Sequence, residues 1–319
     1  MILDYENKKA TRESYGDALK IIGKENEDVV VLDADVSNAT KTNEFAKVFP
    51  NRFFDMGIAE QDMVSTAVGM ARMGKIPFAT TFAVFIAGRA YDQIRMGVAY
   101  AKSNVKLIGT HSGITVGEDG ATHQMLEDIA LMRALPNMMV FSPCDDRETK
   151  EVIKAISKID NPCYVRLGRA KAPRVYEDNL EYGNKINEFQ LGKIIRLGDG
   201  TDCTIIATGN EVQEALKAQE ILKGKGIDVR VLDVHTIKPL DREEIIKAAK
   251  ETKKIITIED HNIIGGLGSA VCEVLAEEYP SKVIRMGIND TFGMSGNAEE
   301  LMKYYKIDAD SIVDKVING

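Results

Sequence analysis

The stretch DVVVLDADV, residues 28–36, is a run of β-branched and apolar residues that ends in acidic and small ones. A short, continuous apolar run of this kind is typical of a parallel strand buried on both faces. A second run, RFFDMG at 52–57, precedes a helical pattern at 58–74, and the strand-like KIPFATTF follows at 75–82. Strand, helix and strand in this order predict a βαβ unit.

The same alternation continues along the rest of the chain. Further strands are predicted at NVKLIGTH, MMVFSP, CYVRL, DCTIIATG, IDVRVLDVH and KIITIEDH, and a helix is predicted over 87–102. A polar, irregular stretch interrupts the rhythm, and 319 residues exceed one ordinary core. We therefore predict an α/β fold class, with two doubly wound domains of mostly parallel sheets at 1–175 and 191–319, joined by a linker at 176–190.

Composition limits the kinds of partner. Hydrophobic residues make up 44% of the chain and charged residues 28%, as in a soluble globular protein, and the net charge is −8. No basic stripe is present, so we expect neither nucleic acid nor a membrane as a partner. We see no secretory signal or membrane span, which predicts a cytoplasmic protein. Four cysteines at scattered positions read as buried, reduced thiols: Cys144, Cys163, Cys203 and Cys272.

Polar residues cluster where a predicted strand ends. His111 closes NVKLIGTH, and the loop GEDGATHQ at 117–124 then supplies Asp119 and His123. Ligands of open α/β sheets meet the loops at the carboxyl ends of strands, and histidine can exchange protons near neutrality. A single residue of this kind is more often a helix cap. Two histidines with an acid favour a functional site, and their spacing is not typical of metal ligands.

Two apolar segments carry further candidates. Glu60 in FFDMGIAEQD has apolar neighbours, which indicates a carboxyl group drawn toward the interior. Phe82 and Phe85 in TTFAVF end another strand, where aromatic residues are more often core than a cofactor platform. The glycine-rich HNIIGGLGSAV at 261–271 lacks the dinucleotide-binding spacing, so it predicts close packing of a helix on a strand.

Taken in chain order, these segments resemble the C-terminal half of a transketolase. The resemblance is carried by ATRESYGDAL, LDADVS, FDMGIAEQDM, ATTFAVF, THSGITVGEDGATHQ, VRLGRA, HTIKPLD and EDHNIIGGLGSAV. Transketolases are thiamine diphosphate enzymes of the pentose phosphate pathway that transfer two-carbon ketol units between sugar phosphates. The resemblance implies a pyrimidine-binding domain followed by the transketolase C-terminal domain.

The resemblance also implies roles around the cofactor. Glu60 matches the glutamate that hydrogen-bonds the aminopyrimidine ring and promotes its imino tautomer, while Phe82 and Phe85 match the aromatic residues that pack against that ring. Family members often have a third aromatic residue where this chain has Gly88. Asp35 matches a position that contacts the cofactor, and Ser37 matches one that contacts the substrate phosphate.

The remaining matches concern the sugar substrate. His111, Asp119 and His123 match positions that line the substrate channel, and with Glu60 the two histidines form the predicted catalytic set. Three arginines match positions that hold or assist the sugar phosphate, a task that suits a guanidinium fork: Arg12, Arg166 and Arg169. No residue of this chain is predicted to bind a metal.

A full transketolase begins with another domain, whose Gly-Asp-Gly…Asn segment holds the cofactor's diphosphate and a divalent cation. We therefore expect an N-terminal subunit on a separate polypeptide, holding Mg²⁺ or Ca²⁺, and an α2β2 hetero-oligomer. The chain alone should be inactive. Three alternatives stay open: a 1-deoxyxylulose-5-phosphate synthase-like enzyme, a 2-oxo acid dehydrogenase β-like subunit, and a non-catalytic regulatory partner.

Overall fold

The computed structural model describes residues 3–177, 181–182, 185–186 and 189–319. The predicted linker at 176–190 therefore lies partly outside the described residues. The strands are β1 (Asp4–Lys9), β2 (Val29–Asp33), β3 (Phe53–Asp55), β4 (Ile76–Phe82), β5 (Lys106–Thr110), β6 (Met139–Phe141), β7 (Cys163–Arg166), β8 (Ala172–Arg174), β9 (Glu181–Tyr182), β10 (Lys185–Ile186), β11 (Ile195–Arg196), β12 (Cys203–Ala207), β13 (Val229–Asp233), β14 (Thr236–Lys238), β15 (Ile255–Asn262) and β16 (Val283–Ile288).

The α-helices alternate with these strands. They are α1 (Thr11–Glu25), α2 (Ser37–Thr40), α3 (Asn43–Val48), α4 (Glu60–Arg72), α5 (Tyr91–Gln93), α6 (Asp128–Ala134), α7 (Asp146–Ile156), α8 (Glu211–Gly224), α9 (Arg242–Glu251), α10 (Leu267–Glu278), α11 (Ala298–Tyr304) and α12 (Ala309–Asn318). Within the described part of the chain, no helix is both long enough and apolar enough to cross a bilayer.

The first sheet has the order β14-β6-β7-β5-β4-β2-β3. All of its neighbouring strands run parallel except β14, which is antiparallel to β6. Every residue of β2 is buried, because apolar clusters cover both faces of the sheet. The second sheet, β11-β13-β12-β15-β16, is parallel apart from β11. The predicted α/β fold class with mostly parallel sheets is confirmed.

Strand β14 belongs to the later half of the chain but pairs with the first sheet. Thr236 lies opposite Phe141 of β6. The Lys238 ammonium donates hydrogen bonds to the backbone carbonyls of Arg133 and Leu135, at 2.8 and 2.6 Å. This pairing crosses the predicted domain boundary, so the two sheets are joined by backbone hydrogen bonds as well as by side chains.

The predicted helix over 87–102 differs from expectation. It starts earlier and is wound largely as two π-helical segments, Val84–Arg89 and Ile94–Tyr100, with the short α5 between them. The Ala90 N–H donates to the carbonyl of Phe85, a spacing of five residues. π-Helical turns are rare and frequently mark functional sites. Here the first one follows β4 directly and carries Phe85 and Arg89.

Candidate active site

Glu60 is the first residue of α4 and is 2% exposed. Its Oε1 accepts a hydrogen bond of 2.7 Å from Nη1 of Arg89. Its Oε2 is buried and has no hydrogen-bond partner among the described residues. A buried carboxylate oxygen without a donor is costly, so this atom is suited to a ligand that brings a donor with it.

Aromatic rings form a wall next to these residues. Phe82, at the end of β4, and Phe85 are stacked with their centroids 5.9 Å apart. The His111 ring lies 4.0 Å from Phe82, and the His123 ring meets Phe85 edge-on at 5.6 Å. The structure thus brings together four of the predicted site residues. Both phenylalanines are only partly buried, as expected of a platform that faces a pocket.

His111 follows β5 in a left-handed backbone conformation, with a φ of 55°. Such a conformation is uncommon for a residue other than glycine, and it is enriched at functional sites. Its Nδ1 is 3.0 Å from the Thr110 hydroxyl. Burial, and then the charges of Arg12 and Arg169, lower the pKa of His111 to about 3. The imidazole is therefore neutral at physiological pH, with one nitrogen able to donate and the other to accept.

Three cations lie close enough to His111 to depress its pKa: Arg12, Lys41 and Arg169. The Arg12 guanidinium donates to the carbonyl of Ala39. Arg169 donates to the carbonyl of Val116 at 2.6 Å and pairs with Glu118 at 2.9 Å. Together the three groups form a positively charged cluster, which is suited to an anionic group such as a phosphate. Lys41 is not among the predicted residues, and only its position shortly after Ser37 could have indicated it.

Arg166 occupies a different environment from the one predicted. It is buried, its Nε donates to Asp128 at 3.0 Å, and its Nη1 donates to Asp260 at 2.6 Å. Burial alone would raise the pKa of Asp260, but Arg166 lowers it to about 2. The guanidinium is thus engaged on both sides by an ion-pair network between α6 and β15. We correct the predicted substrate contact of Arg166 to a structural role in this network.

Asp35, Ser37 and Asp119 lie on loops at the same edge of the first sheet. Asp35 is exposed after β2 with a φ of 61°, and its N–H donates to the Asp55 carboxylate at 3.1 Å. Ser37 begins α2, and Asp119 is exposed in its loop. Because the carboxyl ends of parallel strands share one edge, these residues lie on the side of the sheet that carries His111. The structure records no hydrogen bond from the Asp119 side chain among the described residues.

The glycine-rich segment at 261–271 packs as predicted. The Glu259 carboxylate accepts hydrogen bonds from the N–H groups of Leu267 and Gly268, at 2.6 and 3.0 Å. The chain's own carboxylate therefore fills the helix N-terminus where a phosphate would bind. A Cβ on Gly268 would come within 2.7 Å of the Thr257 hydroxyl. Close packing of α10 on β15 is confirmed.

A Gly-Asp-Gly tripeptide does occur in this sequence, at 198–200, although we expected the family's metal-binding segment on another polypeptide. A Cβ on Gly200 would lie 2.3 Å from the backbone carbonyl carbon of Val229, so this glycine permits close packing of two chain segments. Asp199 is exposed and pairs with Arg196 at 3.3 Å. These contacts indicate a tight surface turn and not a cradle for a metal and a diphosphate.

Comparison with known proteins agrees with this geometry. Residues 7–174 match the model of the transketolase pyrimidine binding domain, and residues 192–312 match that of the transketolase C-terminal domain. A "Putative transketolase C-terminal section" of Methanocaldococcus jannaschii is 52% identical over 97% of this chain and 96% of that protein. A solved "Split gene transketolase, inactive beta4 tetramer" is 47% identical, with a TM-score of 0.89 over 97% of both chains.

Human transketolase gives the complementary observation. It is 39% identical over 97% of this chain, but the match spans only 49% of the human protein. The chain thus covers about half the length of this relative. The two family models and the M. jannaschii relative lead to one conclusion: the chain belongs to the transketolase family, of which it carries the pyrimidine-binding and C-terminal domains.

Proposed function

We propose that this chain is the C-terminal subunit of a split transketolase, which transfers a two-carbon ketol unit from a ketose phosphate to an aldose phosphate. Transketolases depend on thiamine diphosphate and a divalent cation. The observation that carries the proposal is the buried, unpartnered Oε2 of Glu60 beside the stacked rings of Phe82 and Phe85. A planar heterocycle that donates a hydrogen bond fits both features.

The chain's own residues would each supply one part of the site. Glu60 accepts a hydrogen bond from the aminopyrimidine ring and holds its proton, while Phe82 and Phe85 pack against the ring face. The bound cofactor supplies a nucleophilic carbon for the ketol unit. The neutral imidazole of His111, assisted by His123, donates or accepts hydrogen bonds at the substrate's hydroxyl and carbonyl oxygens.

The charged residues suit a sugar phosphate. Arg12, Lys41 and Arg169 present positive charge around His111, where a phosphate group would be held. Asp119 accepts a hydrogen bond from a sugar hydroxyl, and Asp35 and Ser37 complete the site from the next loop. Because this half carries neither of the family's diphosphate and metal ligands, we propose an N-terminal partner subunit that holds Mg²⁺ or Ca²⁺ in an α2β2 assembly.

The test is a coupled ketol-transfer assay with xylulose 5-phosphate and ribose 5-phosphate, in the presence of thiamine diphosphate and Mg²⁺. It is run on the chain alone, on the candidate N-terminal subunit, and on their mixture. Activity only in the mixture supports the proposal, and activity in the chain alone contradicts the split site. If the mixture instead condenses pyruvate with glyceraldehyde 3-phosphate, it is a 1-deoxyxylulose-5-phosphate synthase; if it decarboxylates a 2-oxo acid, it is a 2-oxo acid dehydrogenase.

A pair of variants separates a catalytic subunit from a regulatory one. Glu60→Gln keeps the shape of the side chain but removes its charge, and we expect a loss in kcat of at least about a hundredfold, the scale of proton-transfer groups. Asp62→Asn removes an exposed charge from the same turn of α4 and should leave kcat unchanged. Full activity of the Glu60→Gln mixture would indicate a non-catalytic partner.

A further inference from the structure

Glu60 is reached by a cation from another structural element. The Glu60 carboxyl is 2% exposed and the Arg89 side chain is 44% exposed, and 2.7 Å separate Oε1 from Nη1. Ion pairs between exposed side chains contribute little to stability. This pair is different, because one member is buried and would be left uncompensated without the other. Arg89 matches none of the segments that indicated the site from the sequence.

The first π-helical segment explains how Arg89 reaches this position. Hydrogen bonds between residues five apart widen the turn, so that a residue four positions after Phe85 comes back nearly above it. The guanidinium carbon of Arg89 lies 4.6 Å from the centroid of the Phe85 ring. That distance is within the range of a cation–π contact, which holds the guanidinium against the ring.

The neighbouring residue leaves room for this arrangement. Gly88 is exposed, and a Cβ built on it would have no heavy atom within 4 Å. The third aromatic residue implied by the resemblance is therefore absent, and no other side chain closely surrounds this position. The planar guanidinium of Arg89, seated over Phe85, is the group that lies next to the gap.

We propose that Arg89 is a positioning residue for the cofactor's pyrimidine ring. It engages Oε1 of Glu60 so that Oε2 remains directed at the ring, and its guanidinium completes the wall at the place of the missing aromatic residue. This inference rests on the proposed function, because it requires that Glu60 and Phe85 bind thiamine diphosphate. It assigns to Arg89 the task of fixing the orientation of the Glu60 carboxylate, without contact between Arg89 and the reacting atoms.

The test compares Arg89→Met with Arg89→Lys in the reconstituted two-subunit complex. The dissociation constant of thiamine diphosphate is measured by titration calorimetry, and the near-ultraviolet circular dichroism of the bound pyrimidine ring is recorded across pH. We expect Arg89→Met to weaken cofactor binding at least about tenfold and to change the dichroism spectrum. Arg89→Lys should restore part of the affinity, because an ammonium can still donate to Oε1 but cannot cover Phe85 with a flat face.

Arg95→Met is the matched control, since Arg95 is an exposed arginine on the second π-helical segment. It should bind the cofactor like the wild type. Thermal unfolding of each variant chain shows whether the fold is intact. If Arg89→Met binds thiamine diphosphate with wild-type affinity and dichroism, the inference is wrong while the proposed function stands. If the wild-type complex binds no thiamine diphosphate, the proposed function itself fails.

Discussion

Replacing Glu148 by glutamine should make the stability of this protein less dependent on pH. Glu148 on α7 and Asp233 at the end of β13 are both fully buried, and each keeps one carboxylate oxygen without a hydrogen-bond partner among the described residues. Tyr176 and Cys144 donate to the other oxygen of Asp233, at 2.5 and 3.3 Å, and Asp145 is buried beside them. Burial, and then the charge of Asp233, raise the pKa of Glu148 well above its usual 4.5.

The direction of the effect follows from proton linkage. The folded chain keeps a proton on Glu148 at pH values where the unfolded chain has released it. Stability is therefore fully present below the unfolded pKa of 4.5 and is lost as the pH rises toward the folded pKa. The loss amounts to about 1.4 kcal/mol for each pH unit in that interval. Asp233, whose pKa burial raises in the same direction, adds to it.

Glutamine resembles the protonated acid and carries no titrating proton, so it should remove the Glu148 share of this dependence. Relative to the wild type, Glu148→Gln should gain up to about 4 kcal/mol in free energy of unfolding between pH 5 and pH 8. Urea unfolding followed by far-ultraviolet circular dichroism at each pH measures this difference. Glu151→Gln, a partly exposed residue of the same helix, is the control. Parallel stability profiles for Glu148→Gln and the wild type would refute the reasoning.

Three further outcomes follow from buried polar groups. Arg166→Met leaves Asp128 and Asp260 buried without their cation, so urea unfolding should show a loss of about 3–5 kcal/mol; a loss below about 1 kcal/mol would mean that the network is not formed. Lys106→Met should cost about 2 kcal/mol or more, because the buried ammonium donates to Asn104, Ile159 and Asn161. His111, with its pKa lowered to about 3 by burial and by neighbouring arginines, should show NMR ring signals that do not titrate between pH 5 and pH 8. A midpoint inside that range would contradict its neutral assignment.

The parallel strands were predictable because burial on both faces demands a continuous apolar run, and β2 has such a run. Strand β14 was not predictable in the same way. Its three residues, Thr236 to Lys238, form part of HTIKPLD, which has no apolar run, and their partner β6 lies about ninety residues away. Pairing of this kind depends on tertiary contacts and leaves no local signal. The π-helical winding after β4 was likewise missed, because its periodicity resembles that of an α-helix.

The site divides in a comparable way. Residues on the loops after the strands were found because the sheet topology brings those loops together. Arg89 was missed because its role depends on winding that the sequence pattern does not reveal, and Lys41 because no motif contains it. Arg166 lies at the end of a strand, as a ligand-binding residue would, but the sequence does not show that Asp128 and Asp260 enclose it. Position along the chain thus predicted which edge of the sheet is functional, but not which partner each charge has.

The antiparallel pairing of β14 with β6 has a mechanical consequence. A sheet shared between the two halves of the chain resists hinge bending, since any rotation would break main-chain hydrogen bonds together with the contacts of Lys238. Access to the active site should therefore be gated by movement between polypeptides and not within this one. A fragment truncated before β14 would also expose the edge of β6, a template for aggregation, so the first domain should be difficult to produce alone.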